Sequence, residues 1–216
     1  MKKTNTNLML CAMVFAVALV ISNVITAKTI QTGIPLFGST ILVPSAVICY
    51  CVTFLMTDVI GEIWGREEAG HTVRLGFICQ LLSLAMIGLA LILPVAPFAD
   101  NQAAFSSILG STFRVVAASM IAYLCSQTWD VWVFHRIRDA YIRKHGSTAG
   151  GRWIWNNAST MTSQLIDTSI FILLAFYGTV PDILHMILSQ YLIKFIYAAL
   201  DTIPFYLLTN RKTVEA

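Results

Sequence analysis

The feature that most constrains this sequence is a series of long apolar runs, each about as long as a segment that crosses a membrane. The first, "LMLCAMVFAVALVISNVITA", carries no charged residue over positions 8–27. In lipid, such a run must satisfy its own backbone hydrogen bonds, which leaves an α-helix or a closed barrel. Because the runs lack the alternation of apolar and polar residues that barrel strands show, they predict helices.

We predict that the chain is all-α, a polytopic membrane protein in which a bundle of six transmembrane helices forms a single domain over residues 1–216. The predicted spans are residues 8–27, 41–61, 75–93, 111–134, 153–177 and 183–208. Composition agrees, because 57% of the residues are hydrophobic and only 12% are charged. Three segments rich in Gly or Pro are predicted turns: "TGIPLFGS", "PVAPFADN" and "YGTVPD". Two further connections are predicted charged loops: "EIWGREEAGHTVR" and "HRIRDAYIRKHGSTAGGR".

The distribution of Lys and Arg predicts the orientation of the chain. With the N-terminus inside, nearly all basic residues fall on the cytoplasmic side, and only Lys28 and Arg114 fall toward the outside. Short cytoplasmic loops carry such an excess of positive charge, so both termini are predicted to be cytoplasmic. The sequence shows no catalytic motif, no metal-ligand spacing among its cysteines and histidines, and no cofactor motif. We therefore expect neither an enzyme, a metal site nor a cofactor.

Ionisable and amide side chains inside the predicted spans are the candidate functional residues. A charged group at the centre of a bilayer costs about 2.5 kcal/mol or more, so each one needs a partner, a polar cavity or a function. We predict a substrate-binding set of Asp58, Gln127, Asp130, Asn157, Gln164, Asp167, Lys194 and Asp201.

The spacing of these residues predicts polar stripes on four helices. Gln127 and Asp130 are three residues apart, and so are Gln164 and Asp167, which places each pair on one helix face. Such stripes are expected to point inward and to enclose a common polar cavity. The alternative is that these residues only join helices to one another, at about 0.6 kcal/mol for each hydrogen bond.

Two segments of the chain repeat one polar pattern, "SQTWDVWVF" from Ser126 and "SQLIDTSIF" from Ser163. The fourth and fifth spans are expected to be antiparallel neighbours joined by the basic loop. Ser126 and Ser163 are equally distant from the middle of that loop, so the two Ser-Gln pairs are predicted to meet at one depth. Asp130 and Asp167 would then lie on opposite sides of this layer, about 12 Å apart. Carboxylates on both sides of a central site suit alternating access.

Five segments together resemble the bacterial queuosine precursor transporter family, once described as vitamin uptake transporters. They are "SNVITAKTI", "PSAVICYCVTFLMTDVIGEIWGREEA", "FRVVAASMIAYLCSQTWDVWVF", "NNASTMTSQLIDTSIF" and "YLIKFIYAALDTIPF". The resemblance implies an inner-membrane importer of 7-cyano-7-deazaguanine (preQ0) and 7-aminomethyl-7-deazaguanine (preQ1), which are used for tRNA modification. The resemblance implies two partners, a small-molecule substrate and the lipid bilayer, and it implies no nucleic-acid partner. A homodimer is compatible with the sequence.

The predicted site chemistry agrees with this class of substrate. A 7-deazaguanine presents a ring N–H and an amine side by side, which one carboxylate accepts, and a carbonyl that needs a donor. Asp130 or Asp167 can accept the donors, and Gln127, Gln164 or Lys194 can donate to the carbonyl. The same groups suit other flat heterocycles. Two alternatives remain: a substrate-binding subunit of an ATP-driven uptake system, and a membrane enzyme or assembly factor.

Overall fold

The structure is a computed structural model that describes residues 1–36, 39–98, 100–145, 152–200 and 207–208. Of the side chains in these ranges, those of residues 145, 152–157 and 197–200 are not described. Six helices and one β-hairpin occupy the described ranges: α1 (Asn5–Ile25), β1 (Thr29–Leu36), β2 (Ser39–Pro44), α2 (Val47–Ile63), α3 (Arg66–Ile92), α4 (Gln102–His145), α5 (Arg152–Phe176) and α6 (Ile183–Leu200).

Four of these helices are long and apolar enough to cross a membrane, by length and composition: Asn5–Ile25, Arg66–Ile92, Gln102–Lys144 and Ala158–Phe176. α2, with 17 residues, and the apolar part of α6, Ile183–Ile196, are shorter. The expectation of a helical membrane protein is therefore confirmed, whereas the number of six spans stays a prediction. Asp201 and Pro204 lie outside the described residues.

The prediction of an all-α chain is wrong between α1 and α2, where the chain forms an antiparallel hairpin. Thr29 pairs with Pro44 and Leu36 with Ser39, and the register shifts between Gln31 and Pro35. The second predicted span began at residue 41, inside β2, because "TILV" is as apolar as the helix that follows. Its β-branched residues favour a strand, and Ile41 and Val43 alternate into a buried cluster with Val47 of α2. An open two-stranded sheet has unpaired edges that lipid cannot satisfy, so we expect the hairpin to lie outside the hydrocarbon.

The two predicted charged loops are mostly helical. In the first, only Trp64 and Gly65 separate α2 from α3. Gly65 turns the chain with a φ of 104°, which favours glycine. Glu67 and Glu68 then lie in the first turn of α3, where acidic side chains stabilise a helix N-terminus.

In the second predicted charged loop, α4 continues through the basic residues as far as His145. Arg, Lys, Ala and Ile are compatible with a helix, and charge alone does not end one.

The chain divides into two compact units, Met1–Val116 with Leu192–Ala216, and Ala117–Tyr191. In the first unit, α1, α2 and α3 pack against one another pairwise. Cys11 of α1 lies in a buried cluster with Val59, Ile60 and Ile63 of α2. The second unit contains the C-terminal part of α4, all of α5 and the beginning of α6.

Candidate polar site on α4, α5 and α6

The best-defined polar contact of the second unit joins Asp130 of α4 to Ser163 of α5. The hydroxyl of Ser163 lies 3.1 Å from Oδ1 of Asp130 and also 3.1 Å from the carbonyl oxygen of Thr160. A serine hydroxyl has one proton, so these two acceptors share one donor. The serine therefore orients the Asp130 carboxylate but does not neutralise its charge.

A second contact between the same helices shows the register of α4 on α5. The indole Nε1 of Trp129 donates to Oγ1 of Thr162 at 3.2 Å. Asp130 rather than Ser126 thus lies opposite Ser163, which corrects the predicted meeting of the two Ser-Gln pairs. The prediction assumed a loop folded evenly about its midpoint, but α4 continues as a helix into that segment.

The two carboxylates consequently come closer in depth than expected. Asp167 follows Ser163 by one turn of α5, which is about 6 Å of rise instead of the predicted 12 Å. Asp130, Gln164 and Asp167 are half-buried, and Gln127 is exposed.

α6 carries a third Ser-Gln pair, Ser189-Gln190, which also lies in the second unit. The hydroxyl of Tyr191 donates to the carbonyl of Met161 at 3.0 Å, which joins α6 to α5. Ser189 is fully buried and Gln190 is 2% exposed. Among the residues that the structure describes, neither Oγ of Ser189 nor Oε1 of Gln190 has a hydrogen-bond partner.

Sequence reasoning missed Ser189 and Gln190, although a signal was present. The pair repeats the "SQ" of Ser126-Gln127 and Ser163-Gln164, but "SQYLIK" has no carboxylate three residues after its glutamine. We call Asp130, Ser163, Ser189 and Gln190 the polar residues of the second unit. They include a carboxylate acceptor, two hydroxyls and an amide, which are groups that bind the hydrogen-bonding edge of a heterocycle.

The structure brings together only some of the predicted site residues. Asp58, exposed on α2, and Lys194, half-buried on α6, belong to the first unit. The side chain of Asn157 and the whole of Asp201 lie outside the described residues. The common polar cavity therefore stays a prediction, and so does the role of each of these residues in binding.

Long apolar helices that carry polar residues such as Asp130 and three Ser-Gln pairs define a multi-pass membrane protein with polar groups within its helices. Residues 44–208 match the family model described as "Putative vitamin uptake transporter". The chain is also 38% identical, over 181 residues, to the "Probable queuosine precursor transporter" of Bacillus subtilis (strain 168). That match covers 82% of this chain and 74% of the relative. No solved structure matches the chain significantly.

The chain belongs to this family of membrane transporters, as the five segments quoted above predicted. It is a multi-pass protein of the bacterial inner membrane.

Proposed function

We propose that this chain imports queuosine precursors, chiefly preQ0 and preQ1, for tRNA modification. The observation that carries the proposal is its 38% identity, across most of its length, to a probable queuosine precursor transporter. The polar residues of the second unit support the same class of solute, because a carboxylate such as Asp130 accepts two adjacent N–H donors of a deazaguanine.

Asp130 is the residue that we place at the donor edge of the solute in this site. Ser163 orients its carboxylate, and Trp129, which bonds to Thr162 beside it, offers an aromatic face for stacking. Gln127 or Gln164 donates to the solute carbonyl, and Asp167 contacts the solute at a second stage of alternating access. Asp58, Asn157, Lys194 and Asp201 remain proposed binding residues.

Uptake in cells tests the proposal. In a bacterial strain that cannot make preQ0, added preQ0 should restore queuosine in tRNA only when this protein is expressed. Equal queuosine with and without the protein would contradict the proposal and favour the membrane enzyme or assembly factor.

A purified, reconstituted chain separates the remaining alternative. Vesicles that contain this protein alone should accumulate preQ0, with guanine as the control solute. If preQ0 binds but enters only when an ATP-driven module is added, the chain is a substrate-binding subunit instead.

A further inference from the structure

The face of α3 that packs on α1 carries a buried glutamine, Gln80. Thr72, Gly76 and Gln80, the buried residues of α3, follow one another at a spacing of four and form one stripe. Gln80 is 2% exposed, and within the described part of the chain both Oε1 and Nε2 lack a partner. Thr72, in contrast, donates its hydroxyl to the carbonyl of Glu68 in its own helix at 3.0 Å.

The close contact at Gly76 shows which part of α1 lies beside Gln80. A Cβ at Gly76 would lie 2.5 Å from Cε1 of Phe15 and 3.0 Å from Cδ2 of Leu19. The β-hairpin and the turn at Gly65 each reverse the chain, so α1 and α3 run parallel. Gln80 lies one turn beyond Gly76, and Asn23 lies one turn beyond Leu19. Because Gly76 lies beside both Phe15 and Leu19, Gln80 is level with the segment between Leu19 and Asn23, and the two amides are within about one helical turn of each other.

Asn23 carries a buried acceptor that its own helix does not satisfy. Asn23 is 3% exposed, and its Nδ2 donates to the carbonyl of Leu19 at 3.0 Å. The hydroxyls of Ser22 and Thr26 also donate to carbonyls of α1. Oδ1 of Asn23 has no partner among the described residues. A buried amide without a partner lowers stability, and a leucine at the same position would avoid that loss. The retained amides of Gln80 and Asn23 therefore indicate a site for a polar ligand.

We propose that Gln80 and Asn23 form a second binding position for the solute, specific for the amino-lactam edge of a guanine-type heterocycle. Nε2 of Gln80 donates to the lactam carbonyl, and Oε1 accepts from the ring N–H. Oδ1 of Asn23 accepts from the amine beside it. The site thus offers one donor and two acceptors to a solute edge with one acceptor and two donors. The inference rests on the proposed function, but it uses neutral amides of the first unit rather than Asp130 of the second.

Equilibrium binding to the purified chain tests this position. Wild-type protein is expected to bind two molecules of 7-deazaguanine per chain, and Gln80→Met one. Asn23→Leu should weaken binding of 7-deazaguanine at the second position about tenfold, as expected for one buried hydrogen bond. The same variant should bind 7-deazahypoxanthine, which lacks the amine, as wild type does. Thr72→Val, on the same stripe, removes a hydroxyl that is already hydrogen-bonded within α3. This variant should change neither the number of 7-deazaguanine molecules bound per chain nor the affinity of the second position.

Thermal unfolding of each variant distinguishes binding from a merely structural role. Gln80→Met and Asn23→Leu should unfold at or above the wild-type midpoint, because each removes a buried polar atom that has no partner among the described residues. A lower midpoint with two molecules still bound by both variants would overturn the inference and show an amide bridge between α1 and α3. If the wild type takes up no preQ0, the proposed function fails; if it takes up preQ0 but binds fewer than two molecules of 7-deazaguanine per chain, or if both variants bind as wild type does, this position alone fails.

Discussion

Asp130 shares a single hydroxyl proton of Ser163 with a backbone carbonyl, and that geometry decides what each residue can contribute. A carboxylate within an apolar helix needs more than one donor that it shares with another acceptor. A solute with two N–H groups is therefore a better partner than the serine. Ser126, at the same position of the first repeat, likewise donates to the carbonyl three residues earlier in its own helix, that of Tyr123. The two serines are alike in sequence, in burial and in this local contact, and the contact with Asp130 is what distinguishes Ser163.

The carboxylates of Asp130 and Asp167 are expected to be essential for uptake. Asp130→Asn and Asp167→Asn keep the side-chain shape but replace one acceptor oxygen with a donor, which opposes the donor edge of the solute. Each variant should abolish preQ0 uptake while it reaches the membrane at wild-type abundance, as measured by transport and immunoblot. Normal uptake by both variants would exclude a paired-carboxylate site.

Replacing the serine should have a smaller effect than replacing the carboxylate. Ser163→Ala removes the hydroxyl that orients Asp130, and we expect the affinity for preQ0 to fall about threefold to tenfold. Ser126→Ala removes an equally buried hydroxyl bonded within its own helix and is the matched control. Equal affinities for the two variants would mean that the contact of Ser163 with Asp130 does not contribute to binding.

At the scale of elements, the centres of the helices could be predicted from apolar runs, but two connections could not. β2 reads as the start of a helix because "TILV" is apolar throughout, and a short buried strand and a helical segment look alike in such a run. The segment 135–145 reads as a loop because it is charged, yet it has no Gly or Pro to end α4 before Gly146.

The packing of α1 on α3 depends on the absence of a side chain at Gly76. Gly76→Ala places a Cβ against Phe15 and should lower the free energy of unfolding by about 1–3 kcal/mol, as overpacking does. The Cβ that Gly70→Ala adds in the same helix meets no atom within 4 Å, so this substitution should raise the free energy of unfolding by about 0.5–1 kcal/mol. Thermal unfolding in detergent measures both. A loss of stability at Gly70 equal to that at Gly76 would contradict the close contact.

At the scale of the whole molecule, the basic residues and the hairpin determine the expected orientation. The C-terminal part of α4 carries Arg136, Arg138, Arg143 and Lys144 beyond its apolar part. Such a segment belongs on the cytoplasmic side by the positive-inside rule. The hairpin lies at the other end of α1 from the N-terminus and should therefore be outside.

Labelling of single cysteines tests this orientation. In a variant with Cys11, Cys49, Cys51, Cys79 and Cys125 replaced by Ala, a membrane-impermeant maleimide should label Ser39→Cys in intact cells. It should label Asp139→Cys only after lysis; both positions are exposed. The reverse pattern would overturn the predicted orientation of both termini.

The amino-acid sequence alone is enough to identify a helical membrane transporter of a known family and to locate the polar residues within its apolar runs. Apolar length and hydrogen-bonding chemistry are local properties, so they can be read along the chain. Three facts became visible only in the folded chain: Asp130 contacts Ser163, a third Ser-Gln pair is buried, and the amide of Gln80 and Oδ1 of Asn23 are buried without hydrogen-bond partners among the described residues. Those facts depend on the register of one helix against another, which side-chain packing determines and no single segment encodes.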